Sequence, residues 1–138
     1  MTTTTIRKEC SNERTDTSKK KILIIEDNIL NIKLISAILE ANNYEILQAN
    51  NGNKGFATAR ACHPDLILMD MKLPDVSGME VTRWIKDDED LHMIPVIAVT
   101  ASAMKGDAER MIEGGCQGYI PKPISINEFL KTVEAFLS

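Results

Sequence analysis

The sequence predicts an α/β protein built on a doubly wound parallel sheet, and two observations carry this. Short apolar runs recur along the chain: Ile22-Leu23-Ile24-Ile25, Leu66-Ile67-Leu68-Met69 and Val96-Ile97-Ala98-Val99. A run this short, without polar alternation, suits a strand buried on both faces. Stretches with helical spacing or helix-start signals separate the runs. That alternation is what a parallel sheet covered by helices on both faces requires, with right-handed crossovers between strands.

Taken in order, residues 1–19 are Thr-rich and mixed in charge, with Ile6 the one sizeable apolar residue beyond Met1. Such a segment buries too little to offset its ordering entropy and is expected to be a flexible tail ahead of a domain at 20–138. The first strand, 21–25, ends in Glu26-Asp27-Asn28. Leu30, Leu34, Ala37, Ile38 and Ala41 then recur at helical spacing, and Asn42-Asn43 stops that helix. Residues 44–49 read as a shorter strand, and Asn50 or Asn51 caps a helix from Gly52 to Cys62. The third strand, 65–70, runs into Asp70. Ser77-Gly78-Met79-Glu80 is a capping box opening a helix to about Asp88, with Met79, Val81, Trp84 and Ile85 as its apolar face. Pro95, tolerated at a strand's first position, starts the fourth strand, which ends at Thr100. A helix over 105–113 stops at Gly114-Gly115. A fifth strand, 117–120, closes with Pro121-Lys122-Pro123, and Ser125-Ile126-Asn127-Glu128 opens a last helix through Phe136. The single-domain solution for five such units is the flavodoxin-like (βα)5 sheet, strand order 2-1-3-4-5.

Composition narrows the function. Apolar residues make up 43% and charged residues 26%, ordinary for a globular protein. The net charge of −4 and the lack of a basic cluster argue against nucleic-acid binding. No apolar run approaches the ~20 residues a membrane span needs, and the N-terminus lacks a signal-peptide core. Cys10, Cys62 and Cys116 are odd in number and widely spaced, so reduced thiols in a cytoplasmic protein are expected, with Cys62 and Cys116 as small buried fillers.

In the 2-1-3-4-5 order the carboxyl ends of strands 1, 3, 4 and 5 bring Glu26, Asp27, Asp70, Thr100 and Lys122 to one edge, where open α/β sheets bind ligands. Packed carboxylates repel unless a cation joins them. Mg²⁺ takes one or two carboxylates and completes its shell with water and phosphate oxygens. Lys122 and Thr100 suit phosphate oxygens. Asp70, central on strand 3, is the candidate nucleophile for an aspartyl phosphate. Each residue alone has a bland reading, as a cap, a turn residue or a solvated charge; their joint occurrence at four strand ends is the specific signal.

On these residues the chain resembles a response-regulator receiver domain. The matching segments are Glu26-Asp27-Asn28, Met69-Asp70-Met71-Lys72-Leu73-Pro74, Thr100-Ala101, Tyr119 and Lys122-Pro123. Through Ala103-Met104-Lys105-Gly106-Asp107, Gly114-Gly115-Cys116 and Lys122-Pro123-Ile124-Ser125 it is similar to the single-domain DivK type of cell-cycle regulator. The resemblance implies that Asp70 accepts a phosphoryl group from a histidine kinase or histidine phosphotransfer protein. It implies Mg²⁺, replaceable by Mn²⁺, on Asp27, Asp70 and the backbone carbonyl of Lys72, with Glu26 acting through water. It further implies that Thr100 bonds the phosphate, that Tyr119 turns inward as a switch, and that the Lys122-Pro123 bond is cis. Glu26 replaces the commoner Asp, and Lys72 stands where small or amide side chains are common; Lys72 is expected to screen the phosphate from water.

The expected output is contact with another protein, through the surface of strand 4, helix 4 and strand 5, or through helix 1, where Ile29 and Ile32 lie beyond the predicted core stripe. A phosphorelay shuttle handing its phosphate to a downstream His protein is the alternative. An aspartyl-phosphate phosphatase of the haloacid-dehalogenase kind needs a second Asp where Lys72 stands. A nucleotide or flavin binder wants a glycine-rich loop where Glu26-Asp27-Asn28 stands.

Overall fold

A computed structural model describes residues 19–101 and 105–137. The five predicted strands are β1 (Lys21–Ile25), β2 (Glu45–Ala49), β3 (Leu66–Asp70), β4 (Val96–Thr100) and β5 (Gly118–Pro121). They pair in parallel in the order β2-β1-β3-β4-β5. The helices between and after them are α1 (Ile29–Ala41), α2 (Gly52–Cys62), α3 (Gly78–Lys86), α4 (Lys105–Glu113) and α5 (Ile126–Leu137). The predicted tail up to residue 18 and the Ala103-Met104 part of the motif before α4 lie outside the described residues.

The strands divide their side chains between two cores by the two-residue period of extended chain. Leu23, Ile25, Ile67, Met69, Val96 and Ala98 face α2, α3 and α4, where Ala59, Val81, Ile85 and Met111 meet them. Ile22, Ile24, Leu66, Leu68, Ile97 and Val99 face α1 and α5, packed on Ile35, Ile38, Leu39, Phe129 and Val133. Every residue of β3 and β4 is buried, which accounts for their lack of polar alternation. Burying one such Leu, Ile or Val contributes about 1.5–3 kcal/mol relative to leaving it exposed.

The register places the functional ends side by side. Ile25 pairs with Met69, Asp70 with Val99, and Thr100 with Pro121. Glu26, Asp70, Thr100 and Lys122 therefore emerge at one level, on the carboxyl edge of the sheet.

Several local expectations change. The core face of α1 is Ile35, Ile38 and Leu39; Leu30 is 75% and Leu34 42% exposed, and Ala37 and Ala41 face solvent. Eight of the eleven positions from Ile29 to Leu39 are apolar, so the helical period alone does not select a face. Ile29 is exposed and Ile32 half-buried. Helix α3 ends at Lys86, two residues early, because Asp87 takes the C-cap and the Asp88 side chain accepts the N–H groups of Asp90 and Leu91 in a following turn. Asn51, not Asn50, caps α2, accepting the Lys54 N–H at 2.7 Å. Cys62 is buried but disulfide-bonded, against the expectation of a reduced thiol, whereas Cys116 is a free, buried thiol.

Candidate functional site

Each element delivers its functional side chain through local chemistry. Glu26 follows β1 and is held by its N–H bond to the Ala49 carbonyl, 3.0 Å. Asn28 then caps α1, its side chain accepting the Asn31 N–H at 3.1 Å. That turn folds back on Glu26: the Asn28 N–H and the Asn31 side-chain amide donate to Glu26 Oε2 at 3.3 and 3.4 Å. Asp70 is the last residue of β3, and its Oδ1 accepts the Lys72 N–H at 3.1 Å. Thr100 ends β4, and its carbonyl accepts the Lys122 N–H at 2.8 Å, which draws the end of β5 to the site. The Lys122-Pro123 bond is cis.

Glu26, Asp70 and Thr100 are buried, at 2%, 5% and 6% exposure, while Asp27 is exposed. One carboxylate oxygen from each of Glu26, Asp27 and Asp70 lies within 4.8 Å of the others. Lys122 Nζ stands 3.3 Å from Glu26 Oε1 and 3.5 Å from Asp70 Oδ1. Burial pushes the Glu26 carboxyl above its ordinary range and the charge of Asp70 pushes it further; Lys122 and the bonds from Asn31 and Asn28 pull the other way. Glu26 Oε1 is buried without an aligned hydrogen-bond donor among the described residues, so Lys122 is its partner by charge alone. The site thus offers oxygen donors only, crowded, mutually repelling, and one of them unsatisfied. That donor set fits a hard divalent cation such as Mg²⁺.

The cleft is lined by Glu26, Asp27, Asn28, Asn31, Asp70, Met71, Lys72, Thr100, Ala101 and Lys122. It gathers every predicted site residue except Tyr119. Tyr119, on β5, is 39% exposed and lines a separate groove with Pro121, Pro123, Phe129 and Thr132. Two contributors escaped the sequence reading. Asn31 was signalled only by a polar residue one turn into an apolar helix. Gly78 packs so closely on the Asp70 carbonyl and the Met71 backbone that a Cβ would collide with both, and its N–H bonds the Met71 carbonyl at 3.0 Å.

The profile of the response regulator receiver domain matches residues 22–134. The polar-differentiation response regulators DivK of Brucella ovis and Brucella abortus (strain 2308) are each 55% identical over 118 residues, 86% of this chain and 96% of theirs. Among solved structures, the receiver domain of sensor histidine kinase PA1611 from Pseudomonas aeruginosa PAO1 superposes with a TM-score of 0.79 at 32% identity, over 86% of this chain and 97% of that one. That structure has a magnesium ion coordinated in its active site cleft. Vibrio cholerae chemotaxis protein CheY4, at a TM-score of 0.81 and 23% identity over 86% of this chain and 98% of its own, shares the fold. With its matched segment spanning both cores and the whole acidic cleft, the chain belongs to the response regulator receiver domain family.

Proposed function

We propose that the chain is a phosphorylation-switched regulator in which Asp70 is the phosphoryl acceptor. The observation that carries this is the buried Asp70 carboxylate at the end of a central strand, sharing a 4.8 Å cluster with Glu26 and Asp27 and standing 3.5 Å from the Lys122 ammonium. A carboxylate oxygen of Asp70 attacks phosphorus, and the P–N bond to the histidine of a kinase or phosphotransfer protein breaks. The electron pair leaves with the imidazole, which takes a proton. Lys122 and the Thr100 hydroxyl meet the oxygens of the transferred group.

Asp27, Asp70 and the Lys72 carbonyl would hold Mg²⁺ or Mn²⁺, with Glu26 acting through water. The bound ion supplies charge neutralisation for the incoming phosphoryl oxygens. Lys72, exposed at the cleft mouth, limits attack by water on the product.

The new charge then biases a surface. Thr100 moves toward the phosphate and Tyr119 turns in behind it, which changes β4, α4 and β5. The exposed Ile29, Leu30 and Leu34 of α1 serve as the docking face for the kinase or phosphotransfer protein. The likeness to the DivK proteins supports a role in polar differentiation, a form of cell-cycle or developmental control, exercised in the cytoplasm through protein contacts.

The test is incubation with a small acyl-phosphate donor and Mg²⁺, followed by intact-mass spectrometry. One added phosphoryl group is expected on the wild type and none on Asp70→Asn. Equal labelling of the variant would remove Asp70 from the role.

A further inference from the structure

The loop from Met71 to Ser77 carries Lys72 and begins at Asp70, yet its middle is fastened elsewhere. Asp75 Oδ1 accepts the Gly52 N–H at 2.8 Å. Asp75 Oδ2 accepts the Asn53 N–H at 2.9 Å and the Asn53 side-chain amide at 2.7 Å. Gly52 and Asn53 are the first residues of α2, whose own first turn holds no acidic residue. The loop thus supplies the anion that this helix end lacks, and the bonds hold the Asp75 carboxyl below its ordinary range. Packing reinforces the junction: a Cβ on Gly52 would come within 2.5 Å of Val76 Cγ1 and 2.8 Å of Val81 Cγ2, so only glycine lets the loop and α3 sit this close to α2.

We infer that Asp75 is a positioning residue for the cation site: by tying the middle of the 71–77 loop to the start of α2, it holds the backbone at Lys72 where the acidic cleft can use its carbonyl. The inference rests on the metal reading given above. The Asp70 side of the loop is fixed by the Lys72 N–H on Asp70 Oδ1, and the α3 side by the Gly78 N–H on the Met71 carbonyl. These two bonds close the loop on itself. The Asp75 bonds orient it against the rest of the fold. A group that orients a metal ligand acts on affinity without touching the ion.

The competing role for Asp75 is that of a helix cap, valuable to α2 and irrelevant to the cleft. Asn51 provides the control, because it caps the same helix end through the Lys54 N–H but belongs to the β2–α2 connection. The experiment is calorimetric titration of the full chain with Mg²⁺, beside thermal melts without the ion, for the wild type, Asp75→Ala, Asp75→Asn, Asn51→Ala and Asp27→Asn. Both Asp75→Ala and Asn51→Ala should lower the melting temperature. Of these two, only Asp75→Ala should raise the Mg²⁺ dissociation constant, by about tenfold, with Asp75→Asn in between because one acceptor oxygen survives. Wild-type affinity in Asp75→Ala, or an equal loss in Asn51→Ala, would overturn the positioning role and leave the metal site standing. No Mg²⁺ binding by the wild type, or undiminished binding by Asp27→Asn, would overturn the metal reading and this inference with it.

Discussion

Lys122 Nζ lies between two buried carboxylates, 3.3 Å from Glu26 Oε1 and 3.5 Å from Asp70 Oδ1. Its positive charge opposes the repulsion between the two carboxylates. Removing one partner from such a cluster leaves uncompensated charge inside the protein. Lys122→Ala should therefore cost about 2 kcal/mol in a metal-free urea titration, the side chain's partial exposure keeping the loss below that of a fully buried pair. Added Mg²⁺ should return most of it, since the cation takes over the neutralisation.

The pH dependence of the metal-free protein should show Glu26. Its carboxyl is pushed up from 4.5 on folding, first by burial and then by Asp70. The folded chain therefore binds this proton more tightly than the unfolded chain, and stability falls as pH rises from the ordinary carboxylate value through the folded one. Glu26→Gln should be more stable than the wild type at neutral pH, with the advantage fading as pH drops through that window and gone below it. Denaturation midpoints of the two proteins across the acid range make the comparison.

Gly78→Ala places a methyl group against the Asp70 carbonyl and the Met71 backbone, neither of which is a flexible chain end. Overpacking of this kind costs about 1–3 kcal/mol. The backbone that must yield carries Asp70, the proposed phosphoryl acceptor, so labelling by an acyl phosphate should slow as well. Unfolding and labelling rates on one preparation test both.

The Lys72 side chain is exposed at the mouth of the cleft. Lys72→Ala should shorten the lifetime of the phosphorylated protein severalfold by opening a path for water. An unchanged decay in isolated protein would rule out the screening role.

On α1, Leu30 and Leu34 are 75% and 42% exposed and lie one turn apart. The double variant Leu30→Asp, Leu34→Asp should alter stability by no more than about 0.5 kcal/mol per site, as exposed substitutions do. It should accept phosphate from the small donor as the wild type does, and more slowly from a cognate histidine kinase. Equal rates from both donors would clear this face of the docking role.

The parts of this molecule legible in the sequence are those with one dominant physical cause. Strands buried on both faces announce themselves as unbroken apolar runs, and β1, β3 and β4 fall where those runs stand. Strand order then brings Glu26, Asp27, Asp70, Thr100 and Lys122 together with no further information. The core face of α1 is illegible for the opposite reason: the helix is apolar on several sides, and packing into the core shared with the strands decides that Ile35, Ile38 and Leu39 turn inward. Asp75 reads as a turn residue after Pro74, because its partners, Gly52 and Asn53, are more than twenty residues away in the chain. Gly78 reads as a helix-start residue, because its tight fit against Asp70 is a property of the assembled loop and not of the residue's immediate neighbours.

With β3 and β4 buried along their entire length, the middle of the sheet is a stiff slab clamped from above and below. β5 stands at the sheet's margin beside β4, and there Tyr119 already meets solvent. Under the proposed switch, a message leaving this cleft would reach the rim of the domain, and a protein that listens to it would have to grip that rim.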